Sequence, residues 1–332
     1  MSNYCVVIPT RNRREKLLGA LRTLETQQPA DLLTQVVVVD DGSTDGTAEA
    51  VGGYRGALPV TLLANPGRGA SAARNAGARA ATSECILFID DDCLAAPNLI
   101  AEHDRMRVAH DGPVCLRGRI DWPPDRPVTP FMRYVDRDYQ FGTEGLSGLT
   151  RLTFGHLVSA NLSIPRQTFL DLGGFDEDFI VGFEDTEFGI RMIDAGVPLL
   201  YAEDAVVWHD HPATLSAFAR RQERFGESAV VFARKCPDYP DVVALGRMPR
   251  SGTLRGVLKA LFLNAATVPV LMALSRAFES LGLRRAMELV SSQVLSYHYY
   301  RGVRRALRAQ GLAVTDLISA ADQARGHRTV VS

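Results

Sequence analysis

A chain of 332 residues, 46% hydrophobic and 23% charged, has an ordinary globular composition with enough apolar material for one large domain or two smaller ones. Its formal net charge of −1 argues against nucleic acid as a partner. That average hides an asymmetry: from Arg247 onward 13 Lys and Arg stand against 4 Asp and Glu, a basic tail behind an acidic body.

In chain order, residues 4–9 (YCVVIP) are a short apolar run closed by proline, which reads as a buried strand. Residues 13–27 place Leu17, Leu18, Leu21 and Leu24 at helical spacing. Residues 35–47 (QVVVVDDGSTDGT) are a β-branched strand breaking into a Gly/Ser/Asp loop, with a further helix starting at Thr47. Residues 60–67 (VTLLANPG) make a third strand with a Pro-Gly turn, 69–83 an alanine-rich helix, and 85–92 (CILFIDDD) a fourth strand. Strand and helix alternate and the strands are continuously apolar, which predicts a parallel sheet covered by helices on both faces. Such sheets bind ligands beyond the carboxyl ends of their strands. Three of those ends carry polar residues, Pro9-Thr10-Arg11-Asn12, Asp40-Asp41-Gly42-Ser43 and Asp90-Asp91-Asp92, so the three loops are expected around one crevice. Past residue 110 the pattern weakens. Residues 121–130 are proline-rich and read as an extended surface loop, Asp185 to Ala195 as a helix capped by Gly196, and 199–209 as strand-like pieces. Helical patterns dominate beyond about residue 245.

Five cysteines (Cys5, Cys85, Cys93, Cys115 and Cys236) show no paired or metal-type spacing, which fits a reducing compartment. No signal peptide is expected from the N-terminal residues, and the longest apolar stretch, 260–274, is short for a membrane span. A cytoplasmic protein is expected, with the basic tail either solvated or laid against an anionic surface such as lipid headgroups on the inner face of the membrane.

The acidic residues carry the chemistry. Asp90 and Asp92, at i and i+2 past a buried strand, can both turn toward a divalent cation, and hard oxygens suit Mg2+ or Mn2+, ions that also hold substrate phosphates. Asp41 can accept hydrogen bonds from a nucleobase, or make an Asx turn in its Gly-Ser loop; Asp40 is open to either use. Arg74, on the alanine-rich helix, reaches either a phosphate or a surface salt bridge. Glu184 and Asp185 sit at a helix start, where the dipole is expected to hold them ionised while either takes a proton from an alcohol in the transition state. His209 offers neutral imidazole as a further metal ligand, with His211 as the alternative.

Taken together, VVIPTRNR, VVVVDDGSTDGT, GASAARNAG, FIDDDCLAAP, SANLSIPRQTFLDLGGFDEDF and GFEDTEFGIRMIDAG resemble the family 2 glycosyltransferases of GT-A fold over about residues 4 to 212. The resemblance implies an α/β fold with a Rossmann-like, mostly parallel sheet and a C-terminal helical region. It implies nucleotide contacts at Pro9, Thr10, Arg11, Asp41, Arg74, Asp90 and Asp91, and a donor sugar and diphosphate beside Ala160 and Asn161. A Mn2+ or Mg2+ ion is implied on Asp92, Asp90 and His209, with Asp185, or Glu184, as catalytic base. Cys93 stands where the family often has a further aspartate. Residues 1–110 are expected to bind the donor, 111–240 to bind the acceptor and carry the base, and 241–332 to form a basic helical region for membrane or dimer contact.

The implied reaction moves one sugar from a nucleotide-diphosphate donor (UDP first, GDP or dTDP as alternatives) to a hydroxyl of a saccharide or lipid-linked acceptor, with inversion, in cell-envelope polysaccharide biosynthesis. RRQERFG (220–226) does not match the Q-x-x-R-W motif of processive synthases. Arg220, Arg221 and Arg224 could meet an anionic acceptor. The segment 296–308 reads as an interfacial amphipathic helix or, alternatively, a homodimer contact. Two competing functions are a sugar nucleotidyltransferase, whose glycine-rich basic loop is absent, and a non-catalytic nucleotide-sugar-binding module.

Overall fold

The computed structural model describes residues 2–140, 142, 146, 150–243 and 263–317. Parts of the basic C-terminal region, 244–262 and 318–332, therefore lie outside the described residues, as do the first residues of the apolar stretch 260–274. The strands are β1 (Tyr4–Thr10), β2 (Leu33–Asp40), β3 (Val60–Ala64), β4 (Cys85–Ile89), β5 (Cys93–Ala95), β6 (Cys115–Asp121), β7 (Arg151–Leu152), β8 (Asn161–Pro165) and β9 (Leu199–His209). The helices are α1 (Arg14–Leu24), α2 (Thr47–Gly52), α3 (Gly69–Ala80), α4 (Leu99–Val108), α5 (Pro130–Tyr139), α6 (Arg166–Asp171), α7 (Glu184–Asp194), α8 (Leu215–Lys235), α9 (Val268–Ser280) and α10 (Arg284–Gln310).

The strands form one sheet in the order β3-β2-β1-β4-β8-β6-β9-β5, with β7 added on β9. The first four strands are parallel, as their unbroken apolar sequences predict. β4 is buried along its whole length and is covered by helices, so no polar residue is tolerated until the strand ends at Asp90. Helix α3 lies close over β1: a Cβ on Gly77 would come within 2.3 Å of Val7 Cγ1, so alanine and glycine are needed on that face. The second half of the sheet is mixed. β8 runs antiparallel between β4 and β6, and β9 pairs parallel with β6 but antiparallel with β5 and β7. The register of β5 on β9 sets Cys93 opposite His209.

Behind the strand ends, Phe88 of β4, Phe169 of α6, Phe175 and Phe188 of α7 pack ring on ring at 5.0–5.5 Å between centroids. This cluster locks the end of β4 to the start of α7. Helix α7 ends as its sequence predicts: Gly196 takes φ +81°, Val197 N–H donates to Met192 O (3.1 Å) and Gly196 N–H to Ile193 O (2.9 Å).

The chain divides into two compact units: Met1–Pro127, Arg137–Ile180 and Glu184–His211 form the first, and Val128–Asp136, Val181–Phe183 and Pro212–Ser332 the second. The first holds the sheet. In the second, α8 and α10 meet backbone to backbone, because Gly226 and Gly302 leave no side chain between them. Phe131 packs edge-on against Phe218, and Phe183 against Phe225 and Phe232.

Candidate active site

Every residue of the site belongs to the first unit. β1 ends at Thr10, whose hydroxyl donates to Asp91 Oδ2 at 2.8 Å. Pro9, beside it, pairs with Val39 of β2. Beyond β2 the two aspartates part. Asp40 Oδ1 accepts from Ser43 N–H (3.0 Å) and Ser43 Oγ–H (2.5 Å), an Asx turn that shapes the loop. Asp41 Oδ1 accepts from Asn65 Nδ2 (2.7 Å) and Gly69 N–H (3.2 Å), and Arg11 Nη1 lies 3.5 Å from its other oxygen.

Three adjacent carboxylates at the end of β4 are met by two guanidinium groups and an imidazole. Asp90 accepts from Arg74 Nη2 at 2.7 Å. Asp91 lies 3.3 Å from Arg13 Nη1, which also pairs closely with Asp92. Asp92 Oδ1 is 2.9 Å from His209 Nε2. Burial pushes the Asp91 carboxyl up to about 7, with Arg13 and the Thr10 hydrogen bond holding it back. Burial acts the same way on Asp92, but the His209 hydrogen bond and the charges of His209, Arg13 and His211 outweigh it and keep Asp92 well below the usual carboxylate range. Arg13 is not singled out by the sequence, where it only opens the helical segment 13–27; its place at the head of α1, facing the end of β4, marks it.

Arg74 is 5% exposed and spans two acidic groups, Asp90 and, at 3.6 Å, Glu184 Oε1. The surface salt bridge weighed for it is therefore a buried one. Burial opposes its charge, and Asp90, Asp185 and Glu184 more than compensate, so it stays a cation. At the head of α7, Asp185 Oδ2 accepts from Ser159 N–H at 3.0 Å. Asp185 Oδ1 and Glu184 Oε2 are buried with no protein hydrogen-bond partner. Both carboxyl groups are raised above their ordinary values, by burial first and then by neighbouring negative charge, against the pull of Arg74. This corrects the expectation that the helix dipole holds both ionised: at this depth desolvation outweighs the dipole.

Two further expectations change. Asn161 is fully buried, and its amide is engaged at both ends: Nδ2 donates to Arg119 O (3.0 Å) and Ala205 O (2.9 Å), and Oδ1 meets His103 Nε2 at 2.9 Å. It is a strut between β8, β6, β9 and α4, and its side chain has no free group for a donor sugar. Ala160 is likewise 4% exposed. The metal-ligand trio of Asp90, Asp92 and His209 is not the one assembled. Ligand atoms of Asp92, Cys93 and His209 lie within 4.8 Å of one another, whereas Asp90 turns to Arg74. Cys93 is fully buried, its thiol donates to Ala160 O at 3.6 Å, and burial pushes it well above its ordinary value, so of this group only Asp92 and His209 offer atoms suited to a metal ion. Their 2.9 Å separation matches the roughly 3 Å between neighbouring ligands of an octahedral ion with bonds of about 2.1 Å. A carboxylate oxygen beside an imidazole nitrogen is a donor pair that a divalent ion could share. His211 instead stacks on Trp122 at 4.6 Å, 4.3 Å from the His209 ring.

Comparison with known proteins gives a consistent result. Residues 5–142 match the model described as glycosyl transferase family 2, and residues 136–285 that of glycosyl transferase family group 2. The validoxylamine A glucosyltransferase of Streptomyces hygroscopicus subsp. limoneus is 31% identical over 259 residues, 66% of this chain and 55% of that protein. The pre-mycofactocin glycosyltransferase of Mycobacterium tuberculosis H37Rv is 30% identical over 243 residues, 70% of this chain and 48% of that protein. The chain thus spans about half the length of the curated relatives it matches. Among solved structures, the mannosyltransferase PcManGT from Pyrobaculum calidifontis, in complex with GDP-Man and Mn2+, superposes with a TM-score of 0.55 at 21% identity, covering 90% of this chain and 87% of its own. S. aureus TarS does so with a TM-score of 0.53 at 16% identity, covering 91% and 55%. With adjoining family matches from residue 5 to 285 and a GT-A sheet ending in these carboxylates, the chain belongs to glycosyltransferase family 2.

Proposed function

We propose that the protein transfers a single sugar from a nucleotide-diphosphate donor to an acceptor hydroxyl with inversion, assisted by a divalent ion on Asp92 and His209. The observation that carries this reading is the line Asp92, Asp90, Arg74, Glu184, Asp185. It begins at a pair spaced for a cation and ends at two buried carboxylate oxygens with no protein partner. Such oxygens call for a partner, which an acceptor hydroxyl can supply. Thr10, Arg11 and Asp41 frame the base and ribose side of the donor. A bound ion would supply Lewis-acid neutralisation of the diphosphate leaving group. Asp185 is anchored by Ser159 N–H through one oxygen, which leaves Oδ1 to take the proton of the acceptor hydroxyl. A carboxylate raised by burial is a stronger base than an exposed one, and Arg74 keeps the pair from holding a proton permanently. Attack from the face opposite the diphosphate gives inversion in one displacement.

The GDP-Man and Mn2+ held by the similar mannosyltransferase and the glucosyl transfer of the Streptomyces relative support a nucleotide-hexose donor. The acceptor is read as a saccharide or lipid-linked hydroxyl of a cell-envelope glycan. Residues 1–110 serve the donor, 111–240 the acceptor and base.

The test pairs turnover with binding. UDP-, GDP- and dTDP-sugars are offered to the full chain with Mn2+, and nucleotide release is measured beside thermal stabilisation by the matching diphosphate. Asp185→Asn should lower turnover about 10²–10⁴-fold while metal-dependent nucleotide stabilisation persists. That stabilisation should vanish with EDTA and in Asp92→Ala. Undiminished turnover in Asp185→Asn would remove the base from the proposal, and nucleotide binding indifferent to EDTA would remove the ion.

A further inference from the structure

Helix α9 is built inside out. Its polar Ser275 is 3% exposed and hydrogen-bonds Ser291 of α10 at 2.8 Å, so the contact between the two helices carries a hydroxyl pair. Its outer face carries Val270, Ala273, Leu274 and Ala277, continued by Leu281 in the turn, all exposed and spaced i, i+3, i+4, i+7, i+11. That is the periodicity of a buried stripe, turned to solvent. Among the described residues only seven large apolar side chains are exposed, and five of them, Val270 (59%), Leu274 (42%), Leu281 (70%), Leu283 (50%) and Leu289 (65%), lie on α9, the following turn and the start of α10. Apolar surface gathered in this way marks a contact.

The charges beside the stripe identify the partner. Every exposed charged residue from Thr267 to Gln310 is an arginine, seven in all, and Arg276, Arg284 and Arg285 flank the stripe itself. Glu279 is turned inward, accepting from Phe131 N–H at 3.0 Å. A second copy of the chain docking by this face would set arginine against arginine. Nucleic acid would satisfy the arginines and leave the leucines wet. An anionic lipid surface satisfies both, with acyl chains for the stripe and headgroups for its rim. At 13 residues α9 is about 20 Å long, and no helix of the described residues is long and apolar enough to cross a membrane. It would lie along the interface.

We infer that the second unit docks on anionic membranes through the outer face of α9 and the Leu281–Leu283 turn. This moves the contact away from residues 296–308, where the sequence placed it. There the apolar side of α10 (Val294, Leu295, Val303, Ala306 and Leu307) is buried, packed with Gly302 against α8, and Tyr299 Oη donates to Val243 O at 2.5 Å. The exposed residues on that stretch are arginines, which strengthen attraction to anions but insert no apolar side chain.

The experiment is flotation of the full chain with vesicles of phosphatidylcholine alone and of phosphatidylcholine with phosphatidylglycerol, beside light scattering for oligomeric state. The wild type should float with the anionic vesicles and stay behind with the neutral ones. The double substitution Leu274→Ser, Leu281→Ser should weaken flotation by about a hundredfold, since each leucine withdrawn from an apolar phase is worth roughly a factor of ten. Arg284→Gln with Arg285→Gln should weaken it by about fivefold per charge. These side chains are exposed, so an unchanged melting temperature separates lost docking from lost folding. Anionic flotation indifferent to the leucine pair would overturn the inference, as would a vesicle-indifferent chain that dimerises through this face and becomes monomeric in Leu274→Ser, Leu281→Ser.

Discussion

Arg74 offers the sharpest test of how the site is held together. It is a buried guanidinium facing Asp90 at 2.7 Å and Glu184 at 3.6 Å. At an effective dielectric of about 20, one such pair with charges near 4 Å apart is worth about 4 kcal/mol before desolvation, and two partners roughly double that gross attraction. Burying the guanidinium takes several kcal/mol back. Deletion does not recover that cost, because Glu184 and Asp185 are left buried beside one another. Arg74→Gln should therefore lose about 3–5 kcal/mol of stability at pH 7.5, the usual cost of breaking a buried ion pair. The pH dependence has a definite sign. Without Arg74 the folded-state pKa values of the acids rise further, and a raised folded pKa contributes stability that is lost as pH rises through it. The deficit should thus shrink at pH 5.5, where the carboxyls regain protons. Arg74→Lys should recover part of it, as a point charge can serve one partner but not span two. Denaturant unfolding of the three proteins at both pH values is the assay. A deficit below about 1 kcal/mol, or one equal at both pH values, would refute the electrostatic account and leave Arg74 as packing.

Two further outcomes follow from the geometry. A Cβ on Gly302 would lie 1.9 Å from Glu223 O, so Gly302→Ala must push α8 and α10 apart and should cost about 1–3 kcal/mol or more in thermal unfolding, whereas Gly52→Ala, with nothing within 4 Å, should be neutral or slightly stabilising; equal effects would mean the glycine contact is not tight. Asp91, raised from 3.8 to about 7, holds a proton in the folded state that the unfolded chain has released, so its contribution is complete below about pH 4 and disappears as pH rises through 7, up to about 4 kcal/mol. Melting temperature should fall between pH 5.5 and 8, and Asp91→Asn should flatten that slope without abolishing it, because Glu184 and Asp185 pull the same way; an unaltered slope would exclude Asp91.

What could be read from the sequence divides along physical lines. β1 to β4 were legible because parallel strands covered on both faces must be continuously apolar, and their breaks into Thr10, Asp41 and Asp90 stand out against that background. Past residue 110 α7 and β9 were still legible as elements, but their pairing was not, because β9 meets β6, β5 and β7 in different senses and nothing local encodes three partners. Asn161 looked like a ligand contact for the same reason: its partners Arg119, Ala205 and His103 are 42, 44 and 58 residues away. His103, buried in α4 with both ring nitrogens engaged by Asn161 and Ser163, carried no sequence signal at all. The inside-out α9 was half visible. Its apolar stretch was plain, but which face turned outward depended on Ser275 finding Ser291.

Charge balance ties the proposed donor to the proposed ion. Around the strand ends stand six carboxyl groups (Asp41, Asp90, Asp91, Asp92, Glu184 and Asp185) and three guanidinium groups, those of Arg11, Arg13 and Arg74. Each arginine is already engaged by an acid. A nucleoside diphosphate adds further negative charge to a site that has no uncommitted cation among these groups, so it cannot bind there by displacing an arginine without exposing a carboxylate to its phosphates. Burial and neighbouring negative charge raise Asp91, Glu184 and Asp185, which favours protons as part of the answer to this imbalance. Asp92 is the exception: against burial, the His209 hydrogen bond and the charges of His209, Arg13 and His211 keep it ionised, so the proposed ion would share it with Arg13. On the proposed reading, diphosphate and metal affinity would be coupled by electrostatics, and each ligand should tighten the other by the same factor, measured by nucleotide titration with and without Mn2+.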